Sequence, residues 1–174
     1  ATYEKLFSEY ELHVAQVLLT HGDLQHEERH RNARNTLTTL LRRGVIPIIN
    51  ENDAVSTTEL KFGDNDRLSA LVAALLPADL LIILTSVEGV IENFGQSNAR
   101  RLSEVAEIDS RIEELAGGTT SATAVGGMKS KIEAAKIVVR TGIPLVIAAG
   151  ENETVLDQVV RGDDVGTLFL PKPA

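Results

Sequence analysis

The chain has 174 residues, of which 43% are hydrophobic and 3% aromatic, with no cysteine and a formal net charge of −8. The absence of cysteine excludes disulfide scaffolds, zinc–thiolate centres and thiol nucleophiles. The negative field and the scarcity of aromatic rings argue against general nucleic-acid binding, because phosphates are repelled and bases find few platforms to stack on.

Taken in chain order, residues 2–10 read as a helix with Tyr3, Leu6, Phe7 and Tyr10 on one face. Residues 13–20 form a β-rich run. Asp23 is placed to cap a helix over 24–43 that ends at Gly44. Its apolar face could serve as the interface of a homo-oligomer, the expected assembly. The run Val45-Ile46-Pro47-Ile48-Ile49 suits a parallel strand buried on both faces, although Pro47 moves it toward an edge. A polar loop then leads to a helix opened by Asp64 or Asn65, with Leu68, Leu71, Val72 and Leu75 on its apolar side and Pro77 as its stop.

Residues 80–84 (LLIIL) are the strongest strand. An irregular segment follows between Gly89 and Gly95, then a short helix near 108–115 and a Gly/Ser/Thr/Ala stretch over 117–127. A helix over 128–141, a strand over 145–148, a helix over 154–160 and a strand over 167–170 complete the chain. Apolar runs over 70–76 and 80–84 are separated by Pro77 and Asp79, and neither approaches the ~20 residues that span a bilayer. With no basic-then-apolar leader pattern, a cytoplasmic protein is expected, without membrane partners.

Alternating strands and helices imply βαβ units and a mostly parallel sheet sandwiched between helices, an α/β fold. In such sheets ligands sit beyond the carboxyl ends of the strands. That rule selects the polar residues after Ile49, Leu84 and Ala148.

The first of these segments is the richest. Asn50, Glu51, Asn52, Asp53, Glu59, Lys61, Asp64, Asn65 and Asp66 crowd one loop and the helix start beyond it. Carboxylates can bind an amino acid's ammonium group, amides can bind its carboxylate, and a helix N-terminus offers N–H groups to an anion. A Mg²⁺ site is the alternative, and a solvated loop with an ordinary helix cap is the plainest one. Further on, Gly126-Gly127-Met128-Lys129-Ser130-Lys131 opens a helix where two glycines allow close approach to phosphate and two lysines can offset its charge. The spacing is not that of a Walker loop. His26 and His30 share a helix face but lack the acid of a zinc-protease motif, and Ser56, Thr57 and Thr58 lack an activating histidine in sequence.

Together, Pro47-Ile48-Ile49-Asn50-Glu51-Asn52-Asp53, Lys61-Phe62-Gly63-Asp64-Asn65-Asp66-Arg67-Leu68-Ser69-Ala70 and Gly126-Gly127-Met128 followed by Lys131 resemble the glutamate 5-kinases of the amino acid kinase superfamily. The resemblance continues through Ala78-Asp79-Leu80-Leu81 and Gly166-Thr167-Leu168-Phe169. It implies a three-layer α/β/α kinase that uses ATP and Mg²⁺ to phosphorylate the side-chain carboxylate of glutamate, the first step of proline biosynthesis, with proline as a feedback inhibitor. By motif, Asn50, Asp53 and Asn65 would contact glutamate, and Asp66 would orient the catalytic lysines. Lys131 would stabilise the transferring phosphoryl group. Thr85, Ser86, Gly126, Gly127 and Met128 would line the nucleotide side, and no residue is assigned to a protein-held metal.

Two departures qualify this. The family's opening lysine loop and Ser-Gly-Ala segment are not found, so residues 1–174 are expected to be a single amino acid kinase-like domain lacking its N-terminal part, inactive alone. They are likewise expected to carry no C-terminal RNA-binding-like domain. Ser86 also stands where the family has an acid, in Ser86-Val87-Glu88-Gly89-Val90-Ile91. The rivals are another amino acid kinase, acting on a different carboxylate, phosphate or carbamate, and a non-catalytic amino-acid sensor descended from one.

Overall fold

The computed structural model describes residues 2–52, 65–117 and 127–171. The chain divides into two compact units, Ala1–Leu68 and Ser69–Ala174.

The first unit opens with helix α1 (Thr2–Ser8) and strand β1 (His13–Leu19). On α1, Tyr3 and Leu6 are exposed, and Tyr10 lies beyond the helix and is exposed as well. The apolar face read from the sequence therefore has only Phe7 turned partly inward.

The long helix expected over 24–43 is in fact two, α2 (His21–Gln25) and α3 (Glu27–Arg42), divided at His26, whose backbone is extended. The cap is Thr20, and Asp23 is the third helical residue. Thr20 Oγ1 accepts from the Asp23 amide at 3.3 Å, and the Thr20 amide donates to Asp23 Oδ2 at 2.7 Å. That reciprocal pair is a capping box, which closes the short helix and lets the chain turn before α3. On α3, Ala33 and Leu37 are buried while Leu41 is half exposed, so much of the apolar face expected for assembly is used within the unit.

Strand β2 (Val45–Glu51) pairs in parallel with β1, from His13 opposite Val45 to Leu19 opposite Glu51. The strand reaches two residues further than the apolar run alone suggests. Its residues are only partly buried, against the expectation of burial on both faces, because its one ladder among the described residues is with β1.

Helix α4 (Asn65–Leu75) begins where Asp64 or Asn65 was expected to open it. Its inward side carries Leu68, Ala70, Ala73 and Leu75, with Leu71 and Val72 half-buried.

The second unit is built on a four-stranded sheet of β3 (Leu81–Thr85), β7 (Leu145–Ala149), β8 (Thr167–Phe169) and β6 (Glu104–Val105), in the order β3-β7-β8-β6. β3 and β7 are parallel, as are β6 and β8, whereas β7 and β8 run antiparallel. The segment read as irregular after Gly89 holds a small hairpin of β4 (Ile91–Glu92) and β5 (Arg100–Arg101). These two-residue strands are too short to show any apolar period.

Strand alternation separates two apolar layers. Ile83, Leu145, Ile147 and Phe169 face α5 (Ser110–Gly117), α6 (Met128–Val139) and the later part of α4, forming the main core. Val146 and Ala148, with Ile82 and Leu168, face α7 (Val155–Arg161). The unit is thus helix, sheet and helix, a three-layer sandwich.

Candidate active site

Strands β3 and β7 finish side by side, with Thr85 opposite Ala149 and the Gly150 amide donating to the Thr85 carbonyl at 2.8 Å. Helix α6 leads into β7 through residues 140–144 and packs on the face that carries Ile147, so helix and strand run in opposite senses. Twelve helical residues span about 18 Å, close to the about 16 Å of a five-residue strand. The first turn of α6 therefore stands at the edge where β3 and β7 end.

That first turn has the chemistry of an anion site. Gly127 is its N-cap, with extended backbone, and no acidic side chain lies in the turn. Ordinary helix starts in this chain carry acids there, as α2 carries Asp23 and α4 carries Asp66. Lys131 is 7% exposed, one of two buried polar or charged residues described in the chain. Burying an ammonium group costs free energy unless charge or polar partners compensate it. Lys129 is exposed beside it. Met128 packs its side chain on the main core, so its contribution to this edge is its backbone.

Of the residues assigned to the nucleotide side, Thr85 is half-buried at the strand end and Ser86 is exposed just beyond it. Gly127, Met128 and Lys131 share this edge, and Gly126 lies outside the described residues. In the first unit, Asn50 is exposed near the end of β2, its Oδ1 accepting from the Glu51 amide at 2.9 Å. Asn65 is exposed at the first position of α4 and Asp66 is half-buried in the same turn. Asp53 lies outside the described residues. Asn152, in the third polar segment, is occupied locally: its Oδ1 accepts from the Thr154 amide and hydroxyl, and its Nδ2 donates to Gln158.

A cavity of 270 Å³ opens beyond β7. Glu88 borders it from the β3 side, Ala148, Ala149 and Asn152 from the end of β7, and Asp164 and Gly166 from the approach to β8. The architecture of this edge depends on Thr167, which is fully buried. Its hydroxyl donates to the Leu102 carbonyl at 2.5 Å and accepts from the Val90 amide at 2.9 Å. A Cβ on Gly89 would meet that hydroxyl at 2.4 Å, so only glycine fits there. Thr167 thereby ties both ends of the β4–β5 hairpin to the sheet. Sequence reasoning missed this tie, together with Arg101 and Asp164, because the partners are 63 to 77 residues apart. The only local signal was the Gly166-Thr167 pair itself.

A glycine-started helix with a buried lysine stands at the carboxyl edge of parallel strands in a three-layer α/β sandwich, an arrangement suited to an anionic ligand. The model of the amino acid kinase family matches residues 1–149, and the chain belongs to that family. A glutamate 5-kinase of Carboxydothermus hydrogenoformans is 52% identical over 172 residues, covering 98% of this chain and 46% of that protein. The chain spans about half the length of the curated relatives it matches. Among solved structures, carbamate kinase from Giardia lamblia bound to AMP-PNP superposes with a TM-score of 0.57 at 26% identity, over 79% of this chain and 44% of that one. The isopentenyl phosphate kinase product complex from T. acidophilum has a TM-score of 0.64 at 15% identity, over 95% of this chain and 63% of that one, a likeness of fold. No described helix is long and apolar enough to cross a membrane.

Proposed function

We propose that this chain forms part of an ATP-dependent kinase that phosphorylates the side-chain carboxylate of glutamate, giving glutamyl 5-phosphate for proline biosynthesis. The observation that carries the reading is Lys131, a buried cation in the first turn of a helix that starts on glycine, at the carboxyl edge of β3 and β7. The choice of glutamate is supported by the 52% identity to a glutamate 5-kinase. In the reaction a carboxylate oxygen of glutamate attacks the γ-phosphorus of ATP. The new O–P bond forms as the bond to the β,γ-bridging oxygen breaks, and ADP leaves. The attacking group is already ionised, so the protein's task is positioning and charge stabilisation.

In this reading the α6 turn and Lys131 offset negative charge on the transferring group. Thr85, Ser86, Gly126, Gly127 and Met128 border the nucleotide. Asn50, Asp53 and Asn65 recognise glutamate, and Asp66 has an orienting role. Mg²⁺ supplies further charge neutralisation when bound to the phosphates. Proline inhibition, a single amino acid kinase domain, a cytoplasmic setting and homo-oligomeric assembly belong to the same proposal.

The test is glutamate-dependent release of ADP by the intact protein. Lys131→Ala should lower kcat by about 10²–10³-fold, with glutamate binding by calorimetry retained. Asp53→Ala should raise the KM for glutamate far more than that for ATP. Turnover with aspartate or N-acetylglutamate but not glutamate would overturn the substrate assignment, and amino-acid binding without any transfer would favour a sensor.

A further inference from the structure

The base of the β4–β5 hairpin is held open by a side chain from another strand. The hairpin pairs Ile91 with Arg101, which sets Val90 opposite Leu102 at the next step away from its turn. In an antiparallel ladder, opposed residues that exchange hydrogen bonds make two, one in each direction. Here one is direct, the Leu102 amide donating to the Val90 carbonyl at 2.9 Å. The other is relayed. The Val90 amide donates to Thr167 Oγ1 at 2.9 Å, and the Thr167 hydroxyl donates to the Leu102 carbonyl at 2.5 Å. An oxygen from β8 thus stands inside the ladder of the hairpin.

The Leu102 side of this wedge is tied to β8 and its approach by other bonds as well. The Leu168 amide donates to the Ser103 carbonyl at 2.9 Å, and the Arg101 guanidinium donates to the Gly166 carbonyl and to the Asp164 carbonyl at 3.0 Å. On the other side, the Val90 side chain packs in the main core, and its amide is aimed by the Thr167 hydroxyl. Gly89, at φ +143°, lies so close to that hydroxyl that a Cβ would clash with it. Ser86, Val87 and Glu88 join this point to the end of β3. There Thr85 is fixed by its register with Ala149 and by the Gly150 amide, which donates to its carbonyl at 2.8 Å. So short a link, each residue spanning at most about 3.6 Å, has little room to absorb a shift at either end.

We infer that Thr167 is a positioning residue for the nucleotide side of the site: its hydroxyl, inserted between Val90 and Leu102, fixes the far end of the turn that begins with Thr85 and Ser86. This rests on the kinase reading above, in which those two residues border the nucleotide. The oxygen must accept and donate at once, so a valine of the same shape cannot serve. Without the hydroxyl, the Val90 amide and the Leu102 carbonyl lose their partner, or they close on each other and draw Gly89 away from β8.

The experiment compares the intact protein with Thr167→Ser, Thr167→Cys and Thr167→Val. Thermal melting establishes that each is folded, and calorimetry with Mg²⁺ and AMP-PNP, steady-state kinetics and hydrogen exchange over residues 86–92 then follow. Thr167→Val should weaken AMP-PNP and raise the ATP KM by about tenfold. The glutamate KM should stay within about twofold of wild type, and exchange at Val90 should quicken. Thr167→Ser keeps the hydroxyl and should restore ATP behaviour to within about twofold, with Thr167→Cys, a weak donor and acceptor, between the two. Equal rises in both KM values, or unchanged AMP-PNP affinity in folded Thr167→Val, would overturn the inference. If Thr167→Val does not fold, Thr167→Cys decides by the same readings. Failure of the wild-type protein to bind AMP-PNP would sink the kinase reading and the nucleotide role with it, whereas a failure of this inference alone shows as wild-type binding that the folded variants keep.

Discussion

Both units place an apolar run in a parallel strand, yet they bury it differently. In the first, Val45-Ile46-Pro47-Ile48-Ile49 forms β2, paired with β1 among the described residues, and every one of those five side chains stays half-buried. In the second, Leu145-Val146-Ile147-Ala148 forms β7 between β3 and β8, with α6 packed on one face and α7 on the other. All four are at most 5% exposed. The two runs look alike as sequence. What distinguishes them is the number of neighbours that cover each face, since apolar area contributes only when something excludes water from it.

The contrast can be broken by mutation. Phe169→Ala removes the largest fully buried side chain of the second unit and should cost about 3–5 kcal/mol. Val17→Ala in half-buried β1 should cost about 1 kcal/mol. Urea denaturation reads both, and equal losses would show that the first unit is packed as tightly as the second.

A smaller effect tests how the first unit compensates. Its α2 start is closed by Thr20 and Asp23 rather than by burial. Thr20→Ala removes one side of the capping box and should lower stability by about 1 kcal/mol. An unchanged Tm would mean that the half-buried unit is held by something other than its turns.

The smallest effect concerns charge on the second unit. Glu92 on β4 accepts from Arg100 at 2.7 Å and also from Arg111 on α5. Arg100 first, and then Arg111, hold its carboxyl below the usual value near 4.5. A depressed carboxyl contributes stability above its unfolded value, and that contribution is lost as pH falls through the folded value. Wild-type Tm should therefore decline in acid below that value more steeply than the Tm of Glu92→Gln. Parallel pH profiles would remove the pair from any role in stability, as befits many exposed ion pairs.

Much of the fold could be read from local pattern. The strands at 13–19, 81–85 and 145–149 and the helices at 65–75 and 128–139 each announce themselves by apolar spacing and a clear stop. Errors arose where a local rule had two valid uses. Asp23 is a good capping residue, and it does serve a cap, but as the acid answering Thr20. The break at His26 carries no proline or glycine to announce it. The short strands β4, β5 and β6 have no period to detect.

The candidate site divides in the same way. The Gly126–Lys131 motif and the amide-rich residues around Asn50 and Asn65 were legible as chemistry, because charge, amide groups and glycine have meaning wherever they stand. The tie of Thr167 to Val90 and Leu102, and the hold of Arg101 on Asp164 and Gly166, were not. A hydroxyl or guanidinium can satisfy any carbonyl within reach, and sequence does not say which one the fold will deliver. The order of the longer elements and the glycine–lysine motif over residues 126–131 were thus legible in the sequence itself. The lesser burial of β2 than of β7, the antiparallel entry of β8 and the hold of Arg101 on Asp164 and Gly166 were decided by tertiary structure, because each depends on contacts between segments far apart in the chain.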